Sequence, residues 1–359
     1  MSRNVVFAIP GDINRLTGGY IYEKQVLLGL RRAGWNVTHL PLPGSFPDPT
    51  PGDMQVTGDA FAALSPDTPV LLDGFLPGAT DPAQLARLRP PFIAITHHPL
   101  ALETGLSPAR AEHLYRVERA NLARAAHVIV PSEETARVLA SDYDVPSGHI
   151  TLAPPGVTRP ATLDRAALAD PPLILSVGLL VPRKGHDVLL QALADIAARP
   201  WQAMIVGDAP EPAYAAELAA LRDRLGLAGR LRFAGLVTQD KLQGLLAQAS
   251  VFALATRYEG YGMVFGEALV HGLPIVACTG GAVAETVPTE AALLVPPDDV
   301  VGLAEALRQM LGDRETRARI AAASARYGAA LPTWDHTAGI VGKVLARIKP
   351  PCGNNDLPG

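Results

Sequence analysis

Twelve short runs of apolar and β-branched residues punctuate this chain, and longer stretches of helical period separate them. The first six are VVFAI (5–9), NVTHL (36–40), VLLD (70–73), FIAIT (92–96), HVIV (127–130) and ITLAP (150–154). The second six are LILSVG (173–178), AMIVG (203–207), LRFAG (231–235), VFALA (251–255), PIVAC (274–278) and ALLVP (292–296). Runs that are apolar throughout suit strands buried on both faces, as in a parallel sheet covered by helices. Helical segments include 20–33, 109–126, 186–198, 213–225 and 300–311. This alternation predicts an α/β chain of βαβ units wound into parallel, Rossmann-like sheets.

At 359 residues the chain exceeds what one hydrophobic core usually organises. The Pro- and Ala-rich stretch APPGVTRPATLDRAALADPP (153–172) has six strand candidates on either side and reads as the connection between two domains. Two similar α/β lobes facing one another across a cleft are therefore expected. The closing KPPCGNNDLPG is expected to fray, and it carries Cys352, so that thiol has no structural role.

Composition narrows the function by exclusion. With 48% hydrophobic and 18% charged residues, there is ample material for two cores. A net charge of −4 gives no electrostatic reason to expect nucleic acid as a partner. Two cysteines, Cys278 and Cys352, are too few for a disulfide framework or a Cys-rich zinc site. The opening MSRNVVFAIPGD breaks too early for a secretory signal, and no apolar run reaches transmembrane length. A cytoplasmic protein is expected, with contact to a membrane surface left open.

The segment RYEGYGMVFGEALVHGLPIVACTGG (257–281) holds two carboxylates and two glycine pairs. It reads as a loop carrying Glu259, a helix from about Gly262 to Gly272, and then a strand. Gly260 and Gly262 suit a sharp turn or a close approach to a ligand. The helix start offers free N–H groups to an anion. Glu259 and Glu267 would repel a phosphate, so they are suited to neutral groups with protons to give, such as the vicinal hydroxyls of a sugar or ribose. On one helix they would lie roughly 12 Å apart; with Glu259 in the loop they can line one pocket at different depths.

E-G-Y-G-M-V-F-G-E (259–267) resembles the E-x7-E segment of retaining glycosyltransferases of the GT-B fold, the large family 4 group also called glycosyl transferases group 1. G-L-P-I-V-A…G-G-A-V-A-E (272–285) extends the match. The resemblance implies Glu259 beside the donor sugar, Glu267 on the ribose hydroxyls, and the backbone of Gly260, Tyr261, Gly262, Met263 and Val264 near sugar and phosphates. SVGLLVPRKGHDVLLQAL (176–193) is similar to the family's donor-diphosphate motif, with Lys184 as its lysine. Where the family often has Arg this chain has Leu179, and Arg183 is the candidate for the second charge. A cation is needed there because a departing nucleoside diphosphate gains charge in the transition state.

In the first half, GDINRLTGGYIYEKQVLLGLRRAGWNVT resembles the family's first loop and helix, with Gly18 and Gly19 at the turn. FIAITHHPLALETGL (92–106) follows a strand with His97, the first candidate for the family's sugar-contacting histidine; His98 is the second, and Glu103 is a candidate acceptor contact. The implied organisation is an acceptor-side domain at 1–155 and a donor-binding domain at 156–332. A helix at 333–349, anchored by Trp334, crosses back to the first domain, and a disordered tail follows at 350–359. The implied activity moves a hexose, with retained configuration, from a nucleotide-diphosphate sugar to a hydroxyl of a glycan, lipid or small molecule. His97, Lys184 and Glu259 are its catalytic candidates; no cofactor and no metal are implied. The backbone near 232–237 would read the base.

Rival readings fit less well. A nicotinamide dehydrogenase wants G-x-G-x-x-G, which GDINRLTGG lacks, and VPRKGH has no G-K-[ST]. The serine-hydrolase G-x-S-x-G is absent. A glycosidase would want its carboxyls roughly 5–10 Å apart but has no use for Lys184. Asp142-Tyr143-Asp144 spells D-x-D, yet it sits in a helix-ending turn and reads as solvated surface. A nucleotide-sugar epimerase, or an inactive binder on the same fold, is the remaining alternative.

Overall fold

The computed structural model describes residues 3–160 and 168–348. Part of the connecting stretch (161–167) and the tail with Cys352 fall outside the described residues. The chain forms two compact units: Met1–Gly156 together with Pro332–Gly359, and Val157–Leu331. Each is built on its own six-stranded parallel sheet, in the GT-B manner.

The first sheet comprises β1 (Asn4–Pro10), β2 (Asn36–Leu42), β3 (Val70–Asp73), β4 (Phe92–Ile95), β5 (His127–Val130) and β6 (Ile150–Leu152), in the order β2-β1-β3-β4-β5-β6. The second comprises β7 (Leu173–Val177), β8 (Gln202–Val206), β9 (Leu231–Gly235), β10 (Val251–Leu254), β11 (Ile275–Cys278) and β12 (Ala292–Val295), in the order β12-β11-β10-β7-β8-β9. All twelve apolar runs are strands. The central strands β3, β4, β10 and β11 are buried along their whole length, whereas the edge strands β2, β6, β9 and β12 alternate or stay half-exposed. That difference follows from helices covering both faces of the sheet centre.

The order of each sheet reverses at one place, between β1 and β3 in the first and between β7 and β10 in the second. Open α/β sheets bind ligands outside the carboxyl ends of the strands at such a reversal. The loops after β1, β3 and β4, and those after β7 and β10, are therefore the positions where chemistry belongs.

Several helices start where a Ser, Thr or Asp side chain accepts an otherwise orphan amide. Ser107 takes the Arg110 N–H, Ser132 that of Thr135 and Asp299 that of Gly302. Two helices end earlier than their periodicity predicts. Pro108–Leu122 stops because the Ala126 N–H is already committed to the Phe92 carbonyl of the sheet, at 2.9 Å. His186–Asp195 stops because the Trp201 indole takes the Ile196 carbonyl at 3.0 Å and Arg230 takes that of Ala197 at 2.6 Å.

Within the first unit, the helix Trp334–Arg347 lies on the helix Gly18–Arg32, and a side chain at Gly29 would collide with Ala338. Trp334 is buried with its ring edge-on to Tyr22, centroids 5.9 Å apart, and Thr337 donates to the Pro154 carbonyl at 2.7 Å. No helix among the described residues is long and apolar enough to cross a membrane.

Glu118, on Pro108–Leu122, is fully buried and accepts the Leu100 N–H at 3.0 Å, so it ties down the segment after β4. Burial pushes its carboxyl up to about 8. The folded state thus prefers the protonated form, and this stabilisation is full at acid pH and lost as pH rises through about 8. Glu118→Gln keeps the acceptor and removes the titration. Its melting temperature should match wild type near pH 4, below the ordinary value of 4.5, and exceed it by several degrees at pH 9; parallel curves across that range would contradict the assignment.

Candidate functional site

The loops after β7 and β10 meet at the reversal of the second sheet. After β7 the chain turns at Pro182–Lys184 and enters His186–Asp195. After β10 it runs from Ala255 to Gly262 and enters the helix Met263–Val270. Glu259, buried, accepts from the Lys184 ammonium with Nζ–Oε1 at 2.6 Å, while the Arg183 Nη1 lies 3.5 Å from its other oxygen. Arg183 Nη1 also donates to the Tyr258 carbonyl at 2.8 Å. Burial alone would raise the Glu259 carboxyl, but the charges of Lys184 and then Arg183 outweigh it and hold the group below its usual range. Two cations thus face one carboxylate at this corner.

This pairing changes one expectation. The sequence reading treats Glu259 and Lys184 as separate grips, one for hydroxyls and one for phosphates. The fold joins them in a single ion pair, because β7 and β10 are adjacent strands whose loops leave on the same side. Arg183 is drawn into the same cluster.

The two glycine pairs now have distinct causes. Gly262, at φ +84°, is the last residue before the helix Met263–Val270; its left-handed backbone turns the loop into the helix. The amides of Met263 and Val264 have no partner within the helix, whereas that of Phe265 bonds the Gly262 carbonyl at 2.9 Å. Gly281, at φ +61°, lets the segment after β11 lie against the Glu259 backbone; a Cβ there would strike the Glu259 carbonyl. The Glu259 N–H donates to the Gly280 carbonyl at 3.2 Å, and the Ala282 N–H to the Glu259 carbonyl at 2.9 Å. The Tyr261 carbonyl accepts from Thr286 at 2.8 Å, and Gly260 is buried between these anchored neighbours.

Glu267 does not join the cluster. It is half-buried on Met263–Val270 and makes no side-chain hydrogen bond or ion pair among the described residues; burial pushes its carboxyl up to about 7. Two glutamates eight positions apart therefore differ in charge state near neutrality, one locked ionised and one poised.

In the first unit, Gly18 and Gly19 open the helix Gly18–Arg32, and Gly19 lies under the His97 ring, where a Cβ would sit 3.3 Å from Cδ2. His97 follows β4 after Thr96, its Nε2 3.5 Å from Glu23 Oε1 and its ring 5.0 Å from that of Tyr22. His98 faces Glu103 at 3.4 Å. Asp142 and Asp144 are exposed as expected, with Asp144 paired to Arg119, but Tyr143 between them is buried, against the reading of a solvated turn. Its ring meets that of Tyr115 edge-on at 5.0 Å, and this contact draws it inward. Among the described residues, no group of three or more His, Cys, Asp or Glu could hold a metal ion.

Sequence reasoning passed over Arg257, which braces the site. Its guanidinium grips Asp187 through two bonds at 2.7 and 3.0 Å, takes Asp298 at 2.8 Å and reaches the Pro182 carbonyl. Its own N–H donates to the Arg183 carbonyl at 2.8 Å. Arg257 thereby ties together three loops, two of them bearing Lys184 and Glu259. The signal was an arginine two positions before Glu259 and an aspartate three after Lys184, both at strand-to-helix turns. A double-mutant cycle of Arg257→Ala and Asp187→Asn should give a coupling of about 1–2 kcal/mol in unfolding free energy. Additive effects would remove the brace.

Residues 171–313 match the family model described as glycosyl transferases group 1, and residues 70–159 the one described as glycosyltransferase family 4. The GDP-mannose-dependent alpha-(1-6)-phosphatidylinositol monomannoside mannosyltransferase of Mycobacterium tuberculosis is 34% identical over 210 residues, covering 53% of this chain and 54% of that one. The D-inositol 3-phosphate glycosyltransferase of Xylanimonas cellulosilytica is 30% identical over 236 residues, covering 60% and 54%. The chain thus spans about half the length of the curated relatives it matches. The sucrose-phosphate synthase of Thermosynechococcus elongatus superposes with a TM-score of 0.80 over 96% of this chain and 98% of that one, at 23% identity, which speaks for the fold alone. With a matching family model on each unit and this fold beneath them, the chain belongs to the family 4, or group 1, glycosyltransferases.

Proposed function

We propose that the protein moves a hexose from a nucleotide-diphosphate sugar to an acceptor hydroxyl with retention of configuration. The observation that carries this reading is the doubly paired Glu259 at the sheet reversal, next to a helix N-terminus. The ammonium of Lys184, the guanidinium of Arg183 and the amides of Met263 and Val264 suit a leaving diphosphate, whose charge grows as the C1–O bond breaks. Arg183 takes the part of the arginine missing at Leu179. Glu259, held ionised, accepts from sugar hydroxyls beside the backbone of Gly260, Tyr261 and Gly262, and Glu267 accepts from the ribose. His97, above the Gly18–Gly19 turn, contacts the sugar. The acceptor oxygen bonds to C1 from the face the phosphate leaves, and the phosphate takes the acceptor's proton. No metal or cofactor enters this scheme.

The names of the relatives make GDP-mannose the first donor to try, and an inositol phosphate or phosphoinositide glycolipid the first acceptor. A lipid acceptor would bring the protein to a membrane surface. An epimerase on the same fold would not accumulate nucleoside diphosphate, and an inactive binder would release none.

Thermal shifts with UDP, GDP, ADP and their sugars should single out one base, since a ligand stabilises in proportion to its occupancy. Glu267→Ala should weaken donor binding roughly 10- to 100-fold with little change in kcat. Lys184→Ala should lower kcat on the order of 100-fold or more with a smaller change in affinity. Equal losses in both parameters for both variants would mean the roles are misassigned.

The Glu267 carboxyl, near 7, also sets a pH dependence. A ribose hydroxyl donates to the ionised form, so donor affinity should rise with pH through about 7 and level off above 8. The diester phosphates of a nucleotide sugar do not titrate there. Calorimetric titration of the donor from pH 5.5 to 8.5 should show this rise in the wild type and a flat profile in Glu267→Gln.

A further inference from the structure

The first unit holds a group of ionisable side chains that the scheme above uses only in part. Glu23 lies on the buried face of Gly18–Arg32 with Val26, Leu27 and Leu30 and is fully buried. Among the described residues no N–H or hydroxyl donates to either of its oxygens and no Lys or Arg pairs with it; its polar neighbours there are the Asp73 carboxyl and the His97 ring. His97 Nε2 faces Oε1 at 3.5 Å and is likewise buried without a bond, whereas no described residue hydrogen-bonds Nδ1. Tyr22 on one side and the bare Gly19 on the other hold the ring against the start of the helix. Asp73, at the buried end of β3, accepts the Phe75 N–H at 2.7 Å and stands next to Glu23. All of this is at the reversal of the first sheet, after β1, β3 and β4.

A neutral imidazole carries one N–H, and its neighbours decide on which nitrogen. A lone pair on Nε2 aimed at a carboxylate would be repelled, while an N–H there finds an acceptor oxygen at 3.5 Å. We propose that Glu23 is a positioning residue that holds His97 in its Nε2–H form, leaving Nδ1 as a hydrogen-bond acceptor for a substrate hydroxyl. Asp73 supports it by keeping the proton of the carboxyl pair and donating toward Glu23. The consequence for turnover rests on the proposed function; the proton position on His97 does not.

The groups facing Glu23 are Asp73 from β3, His97 after β4, and Tyr20 and Tyr22 on its own helix. Burial pushes the Glu23 carboxyl up to about 7 and, with the neighbouring Glu23 charge, raises Asp73 well above its usual range; burial lowers His97, so the ring stays neutral. Above about pH 7 the Glu23 carboxylate accepts from Nε2–H. Below it the protonated carboxyl donates to Nε2, and the imidazole proton moves to Nδ1, turning the substrate-facing atom from acceptor to donor.

Long-range nitrogen–proton NMR of the protein with 15N-labelled histidine reads this directly, with His97 identified by the signal lost in His97→Asn. At pH 8 the wild type should show Nε2 protonated and Nδ1 bare, with a crossover as pH falls through about 7. Glu23→Gln should fold and abolish the crossover. Glu23→Leu should give mixed forms and lower kcat at pH 8 by roughly 10-fold or more, with nucleotide affinity unchanged. A His97 protonated on Nδ1 at pH 8, or an unaltered crossover in Glu23→Gln, overturns the proposal. The wild-type and Gln spectra decide even if the Leu variant does not fold. Absence of any glycosyl transfer by the wild type would instead count against the proposed function, leaving the NMR result to stand by itself.

Discussion

The second unit is organised around a buried carboxylate held by two cations. Removing Glu259, Lys184 and Arg183 from water costs several kcal/mol per ion, and attraction offsets that cost only where the geometry is close. The bond at 2.6 Å between Lys184 and Glu259 meets that condition, and Arg183 at 3.5 Å adds to it. The surroundings then serve to keep these atoms in register. Arg257 fixes the two loops to each other through Asp187 and the Arg183 carbonyl, and Gly281 allows a second backbone to lie along Glu259. A Lys or an Asn in place of Arg257 would lack the planar fork that reaches both oxygens of Asp187.

Equivalent side chains acquire different chemistry from their surroundings. Glu259 and Glu267 lie on one loop-helix unit, yet cations hold the first ionised while burial leaves the second titrating near neutrality. Glu23 and Glu118 repeat the second situation in the other unit, Glu118 with one backbone donor and Glu23 with a carboxyl neighbour. Groups whose environments push their pKa values apart mark where acid, base and electrostatic roles divide. In this chain the cationic corner follows β7 and β10, and the carboxyl–imidazole corner follows β1, β3 and β4. The same sheet architecture supports both, since in each case it is the reversal of strand order that brings unlike loops together.

Much of the architecture was legible because burial writes itself as a pattern. Strands enclosed on both faces need apolar residues throughout, so VLLD, FIAI and IVAC could not be read as anything exposed. Helix ends were less legible. Ala126 and Ile196 continue the helical period, but the backbone N–H of the first is taken by the sheet carbonyl of Phe92, 34 residues earlier, and the carbonyl of the second by the Trp201 indole, whose place is set by the packing of the sheet. Tyr143 shows the same limit, since its burial comes from Tyr115, which its neighbours in sequence do not reveal.

The sequence alone determined two parallel α/β sheets, the resemblance to a glycosyltransferase family, and which glutamates, lysine and histidine to watch. These follow from local rules: period, turn residues and motif spacing. Only the tertiary structure decided that Lys184 closes on Glu259, that Arg257 braces them, that Glu267 finds no side-chain partner among the described residues, and that Glu23 and Asp73 lie behind His97. Charge state and pairing depend on desolvation and on contacts between residues dozens of positions apart. No spacing along the chain encodes those until the strands have chosen their order.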